Sequence, residues 1–128
     1  MTKHILTIAV EEYFHVAALR RAVQRKHWDR LDPRLDANLT EVLELLGRHH
    51  ATATFFVFGC IAEGQPEIVQ RIVAHGHEVA SRGFWPRSLK GVDRTEFLDD
   101  LHRAKEALEA AGSNRIFGYR APTWIRKA

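Results

Sequence analysis

Two adjacent carboxylates, Glu11 and Glu12, close a short apolar run, and an imidazole, His15, follows them. Carboxylate and imidazole oxygens and nitrogens are the hard and borderline donors that hold a divalent cation, so either glutamate could ligate one. A pair of solvated glutamates at a strand end is the plainer alternative for the same residues. Two guanidinium groups follow later apolar runs in the same way, Arg82 after His77-Glu78-Val79-Ala80-Ser81 and Arg120 after Phe117-Gly118-Tyr119. They can only donate hydrogen bonds and stay charged at any working pH, so neither can bind a metal. The remaining candidates are weaker. His77 precedes its run and would lie about 10–13 Å from the far end of a strand of that length, beyond the reach of a metal bond. His49 and His50 follow a helical pattern, where imidazole complements the helix dipole. Cys60 stands alone at the end of an apolar run, so there is neither a disulfide framework nor a cysteine-based zinc signature.

The elements that must position these groups alternate in type. Residues 4–10 are apolar and β-branched, the pattern of a strand covered on both faces. Residues 11–33 mix a short helical spacing at Val16, Leu19, Ala22 and Val23 with loop features at Trp28 and Pro33. Leu35, Leu39, Val42, Leu43 and Leu46 then follow the helical period as far as His49, with Gly47 at the expected stop. Residues 51–59 form a central strand closed by Gly59. Between Gly64 and Gly76 a helix is expected, with Pro66 in its first turn, a stripe of Ile68, Val69, Ile72 and Val73, and Gly76 as its end. Residues 78–81 are a third strand. Asp93, with Glu96 three residues on, forms a capping box for a helix whose stripe is Phe97, Leu101, Ala104 and Leu108, ending at Gly112. Residues 115–119 are a fourth strand, and 120–124 leave it as a loop.

Strand and helix joined by short loops predict parallel pairing with right-handed crossovers. The fold class is therefore α/β, a partial (β/α) barrel of roughly four parallel strands with three main helices. Chemistry in such sheets collects at the carboxyl ends of the strands, which puts residues 9–15, 59–63, 82–90 and 120–126 on one rim. A sheet that stops at a fourth strand leaves an open edge. Either a second copy covers it, as a homodimer, or the chain is the N-terminal portion of a longer protein.

With 128 residues, 45% of them apolar and 27% charged, the chain is expected to be one globular domain. Its 19 Lys and Arg against 16 Asp and Glu give a net charge of +3 with the signs interspersed, which argues against a nucleic-acid partner. No uninterrupted apolar run is long enough for a membrane span. The first apolar run is cut short by Glu11 and Glu12, which is unlike a signal peptide, so a cytoplasmic location is expected.

Three segments, in order, resemble the polysaccharide deacetylases, the NodB homology family (carbohydrate esterase family four). They are Leu6 to Val16 with its Val-Glu-Glu-Tyr-Phe-His-Val piece, then Ala53 to Gly59 with Gly76 to Ser81, and last Phe117 to Pro122. The first piece is most similar to the exopolysaccharide-associated subgroup. The resemblance implies a distorted barrel, a divalent metal, usually zinc, and hydrolysis of the N-acetyl amide of amino sugars in a polysaccharide or oligosaccharide. In that mechanism an acidic residue and two histidines hold the metal, which polarises the amide and acidifies a water. A second carboxylate takes the water's proton and an arginine orients it.

Carried over residue by residue, the family's base falls on Ala9 and its metal carboxylate on Glu11 or Glu12. Its two metal histidines fall on Arg82 and Pro86, and its orienting arginine on Arg120. The metal is therefore expected to be absent or weakly held, with Arg82 pairing to Glu11 or Glu12 in its place. Phe84, Trp85, Tyr119, Pro122 and Trp124 are expected to line a sugar groove. Three functions follow from these residues: a deacetylase-like domain with impaired catalysis, a non-catalytic glycan-binding or scaffold module, and an active hydrolase with a site remodelled around Glu11, Glu12 and Arg120.

Overall fold

The protein is described by a computed structural model covering residues 2–19, 22–112 and 114–123. Three short parallel strands, β1 (Thr7–Val10), β2 (Thr54–Val57) and β3 (Glu78–Ser81), lie side by side in the order β1-β2-β3. Their register is even, Thr7 beside Thr54 beside Glu78 at one end and Val10 beside Val57 beside Ser81 at the other. Four α-helices accompany them: α1 (Leu35–Arg48), α2 (Gly59–Gly64), α3 (Pro66–Ala74) and α4 (Arg94–Gly112). Between β1 and α1 the chain makes 3-10 turns at Tyr13–His15, Ala17–Leu19 and Arg25–Arg30.

The α/β class and the parallel sheet expected from the sequence are found, with two differences of detail. The segment expected as a fourth strand is reduced to a single parallel bridge between Tyr119 and Ser81. Ser81 donates its N–H to the Gly118 carbonyl, and Arg120 donates to the Ser81 carbonyl. Phe117 projects into solvent at 81% exposure, so the residues before the bridge have little to pack on. The second difference is α2, which folds one helical turn and more out of residues assigned to a rim loop. Its first residue, Gly59, lies where a Cβ would sit 2.6 Å from the Phe84 ring and 2.8 Å from the Ala104 Cα. Glycine here is demanded by that close approach to α4, not by a chain stop.

Side chains alternate across the sheet, and its two faces fare differently. Val10, Phe55, Val57 and Val79 meet the helices, with Leu39, Leu43, Ile68, Ile72 and Leu108, in one core. On the opposite face Thr7, Ala9, Thr54, Phe56 and Glu78 are exposed or half-buried, while Ala80 is buried against Gly118. It is the face that a (β/α) barrel turns inward.

Helices α1 and α3 end alike. Gly76 at φ 83° follows α3, with the His77 N–H bonded to the Ile72 carbonyl and the Gly76 N–H to that of Val73. After α1, His50 takes the same left-handed position at φ 50°, with Ala51 bonded back to Leu46 and His50 to Gly47. Both are Schellman caps that aim the chain into a strand. Gly47, expected as the stop, lies inside the last turn instead.

Candidate functional site

The carboxyl ends of β1 and β3 and the loop after Tyr119 enclose a pocket of about 500 Å³ bounded by Ala9, Glu11, Arg82, Arg120, Pro122 and Thr123. At its centre the Arg82 guanidinium donates through Nη1 to Glu11 Oε2 at 3.0 Å and through Nη2 to the Pro122 carbonyl at 2.9 Å. Arg82 is 7% exposed, and its Nε is buried with no acceptor among the described residues. The ring of Phe58 lies 4.6 Å from its guanidinium carbon. The ion pair expected from the sequence is therefore present, and its carboxylate is Glu11.

Glu12 is excluded from that pocket by strand alternation, which sends it to the other side. Its two carboxylate oxygens accept the backbone N–H groups of Arg34 and Leu35, at 3.0 Å each. These are orphan donors at the start of α1, and a carboxylate there also complements the helix dipole. The expectation that either glutamate could ligate a cation thus narrows to Glu11, because Glu12 is occupied as a helix cap.

His15 is oriented by the same turn. Its Nδ1 accepts the Glu12 N–H at 3.1 Å, so the ring carries its proton on Nε2. It is packed against Phe14 and Trp28, with ring centroids 4.8 and 4.5 Å away. Burial, and then the Arg82 charge, lower its pKa from 6.5 to about 4. It remains a neutral imidazole committed to the core. His77 is held in a similar manner, its Nδ1 accepting the Ala53 N–H at the start of the strands, and burial lowers its pKa as well.

Arg82 owes its position to a fixed turn. Its N–H bonds to the Val57 carbonyl, and the carbonyls of Gly83 and Phe84 accept the N–H groups of Gly59 and Cys60 at the start of α2. Gly83 adopts φ 90° with its Cα against Asp100, where a Cβ would lie 2.7 Å from the Asp100 Oδ2. That oxygen accepts the Phe84 N–H at 3.0 Å. Asp100 and Gly59 are thus positioning residues that sequence reasoning missed. A signal for Asp100 was available: a carboxylate four residues before Ala104 lies on the apolar stripe of α4, where a charge must have a partner.

The described residues among those expected to share a sugar groove do not gather in one place: Phe84 and Trp85 lie together, apart from Tyr119 and Pro122. The turn at Gly83 carries Phe84 away from Arg82 into the core, where Arg103 covers it with its guanidinium carbon 3.7 Å from the ring centroid. Phe84 and Trp85 bound a separate pocket of about 490 Å³ with Phe14, His15 and Trp28. Tyr119 packs edge-on to Phe97 at 5.8 Å. Pro122 alone of the set reaches the Arg82 pocket, and Trp124 lies outside the described residues. Pro86 is buried and presents no donor. The Arg120 side chain reaches the pocket, with its guanidinium carbon 6.0 Å from the Phe56 ring.

Fold and rim together define a half-barrel α/β domain whose strand-end pocket holds one carboxylate and two guanidinium groups. Residues 28–126 match the polysaccharide deacetylase family, and the chain belongs to it. It is 38% identical over 71 residues to a chitooligosaccharide deacetylase of Bradyrhizobium sp. (strain ANU 289), covering 56% of this chain and 32% of that one. To a peptidoglycan-N-acetylglucosamine deacetylase of Bacillus cereus it is 35% identical over 86 residues, 67% of this chain and 29% of the relative. The crystal structure of a Mycobacterium smegmatis protein described as a polysaccharide deacetylase is 28% identical with a TM-score of 0.80, over 96% of this chain and 44% of that chain. A structure described as a CE4 family pseudoenzyme from Bacillus anthracis shares the fold at 23% identity and a TM-score of 0.67, over 92% of this chain and 34% of that one. The chain spans about a third of the length of the curated relatives it matches.

Deacetylases of this family are in general metal-dependent, and the side chains present here can be tested against a cation. Among the described residues no three His, Cys, Asp or Glu side chains gather where an ion could sit. Glu11, the one carboxylate in the pocket, already faces a guanidinium at 3.0 Å. A divalent ion at that place would have to displace a permanent positive charge or lie against it. Among the described residues, the donor set does not fit the metal.

Proposed function

We propose that this chain is a polysaccharide deacetylase domain that has given up metal-dependent hydrolysis and serves as a glycan-binding module. The observation that carries the reading is the Arg82–Glu11 pair, which puts a buried guanidinium against the carboxylate a metal would need. Two further features support it. Ala9, at the position of the family's proton-accepting carboxylate, has no group that could take a proton from water. Neither His15 nor His77 is free to substitute, since each has Nδ1 engaged by a backbone N–H.

The ligand class follows from the relatives, whose names place their substrates among chitooligosaccharides and peptidoglycan. For this chain we take the ligand to be an N-acetylated or related polysaccharide, with the exopolysaccharide-associated subgroup as the context its first strand fits. The test is to measure bound zinc after metal loading, together with acetate release from an N-acetylglucosamine oligomer. Expected are less than one zinc per ten chains and no release above background. Stoichiometric zinc with turnover that disappears in Glu11→Ala would overturn the reading and restore the remodelled hydrolase.

A further inference from the structure

The Arg82 pocket has more positive charge than its own residues use. Two guanidinium groups, Arg82 and Arg120, face it with one carboxylate, Glu11. Of the N–H groups of Arg82, one bonds to Glu11 and one to the Pro122 carbonyl, while Nε is buried and has no acceptor among the described residues. The Arg120 side chain has no hydrogen bond and no carboxylate partner among them either; only its backbone is engaged, at Ser81. A site that excludes a cation can instead accept the opposite charge.

We propose that this pocket binds the carboxylate of an acidic sugar, a uronic acid residue, with Arg120 as its principal contact and the Arg82–Glu11 pair as its fixed floor. The proposal rests on the reading of this rim as glycan-facing, and it specifies which glycan. Charge selects the anion: two positive groups and one negative leave a single surplus charge, enough for a monoanion, while Glu11 disfavours a dianion such as a phosphate. Shape selects the carboxylate, whose planar pair of oxygens matches a guanidinium fork. Size selects a sugar over a bare acid. About 500 Å³ exceeds what acetate fills, and the walls supply what a pyranose ring takes, a hydroxyl at Thr123 and small apolar surfaces at Ala9 and Pro122. Ala9 matters twice, since a carboxylate there would both cancel the surplus charge and occupy the space.

The experiment is calorimetric titration of the 128-residue chain with glucuronate, glucose, N-acetylglucosamine and acetate, at low and raised salt, with the variant Arg120→Gln. Arg120 is exposed, so its substitution is expected to leave the melting temperature unchanged. Glucuronate should bind at least tenfold more tightly than glucose or N-acetylglucosamine, weaken as salt rises, and lose tenfold or more in Arg120→Gln. Ala9→Asp, a second variant on the opposite wall, should reduce glucuronate binding by a similar factor. Equal affinity for glucuronate and glucose would overturn the proposal, as would glucuronate binding indifferent to both substitutions. Acetate binding as tightly as glucuronate would reduce the site to a bare anion hole and overturn the sugar assignment. Binding of N-acetylglucosamine as tight as that of glucuronate would sink this inference alone. Zinc-dependent acetate release would instead sink the underlying reading of the domain as non-hydrolytic.

Discussion

Arg82 sets the character of the rim because it is both buried and permanently charged. Its guanidinium is compensated by Glu11, by the Pro122 carbonyl and by the Phe58 ring, and removing it would take from Glu11 its hydrogen-bonded partner. Losing one partner of a buried pair costs several kcal/mol, but Glu11 is partly open to water, so Arg82→Ala is expected to lower stability by about 2 kcal/mol. Denaturant unfolding of Arg82→Ala, Glu11→Ala and the double variant measures this, and independent, additive losses would refute the pairing as a source of stability. His15 adds a pH dependence with a definite sign. Its pKa is lowered from 6.5 to about 4 in the folded chain, so the unfolded chain binds the proton first as the medium is acidified. The stability it holds is full above pH 6.5 and is lost as pH falls from 6.5 towards 4. The shift corresponds to roughly 3 kcal/mol at most, and His77, shifted in the same direction by burial, adds to it. Melting temperatures of the protein and of His15→Gln between pH 7 and 4 should converge as the pH falls. Parallel curves would show that His15 does not carry the dependence.

At the level of elements, two helix ends with one geometry offer an internal comparison. Gly76 fills the left-handed cap of α3 without strain, while His50 fills that of α1 with a Cβ that the conformation disfavours. His50→Gly is expected to raise stability by about 0.5–1 kcal/mol, seen as a higher denaturant midpoint at unchanged slope. The opposite substitution at a crowded glycine should be costly. A methyl group at Gly59 would strike the Phe84 ring and the α4 backbone, so Gly59→Ala is expected to lose about 2 kcal/mol or more and to loosen the turn that presents Arg82. These elements also mark the limit of what the chain's order of residues discloses. Strands β1 to β3, the three longer helices and the Asp93 cap, with Glu96 N–H on Asp93 Oδ1 at 2.8 Å, were legible from period and capping chemistry, whereas the fourth strand expected over residues 115–119 is only a bridge. The pairing of Arg82 with one of the two glutamates was legible as well, because the family resemblance puts all three at one metal site. Which of Glu11 and Glu12 faced that site was not, since it depends on the register of β1. Nor was the separation of Phe84 from Arg82, which depends on the turn at Gly83. The role of Gly59 arises from its contact with Ala104 of α4, forty-five residues further along the chain, and has no local signature.

For the molecule as a whole, the dominant fact is a three-stranded sheet covered by helices on one face. One face is sealed by the helices in a continuous core, while the other presents Thr7, Ala9, Thr54 and the half-buried Phe56 to solvent. Among the described residues the outer side of β1 pairs with no strand, and Ile5 at 87% and Leu6 at 44% exposure extend that edge. At the other side Phe117 is 81% exposed beside the single Tyr119 bridge. An open strand edge next to apolar surface is a template for pairing with another chain, because its N–H and C=O groups and its side chains are all unsatisfied together. The 128-residue chain is therefore expected to self-associate through this side, in a manner that leaves the helical layer untouched. Sedimentation velocity across a hundredfold range of concentration should show a coefficient that rises with concentration. Charges placed on the edge and on the open face, Leu6→Lys with Phe56→Lys, should return it to the monomer value without lowering helix content. A concentration-independent monomer in the unsubstituted chain would mean that this surface tolerates water, and the exposed face would then be a property of the domain that needs no cover.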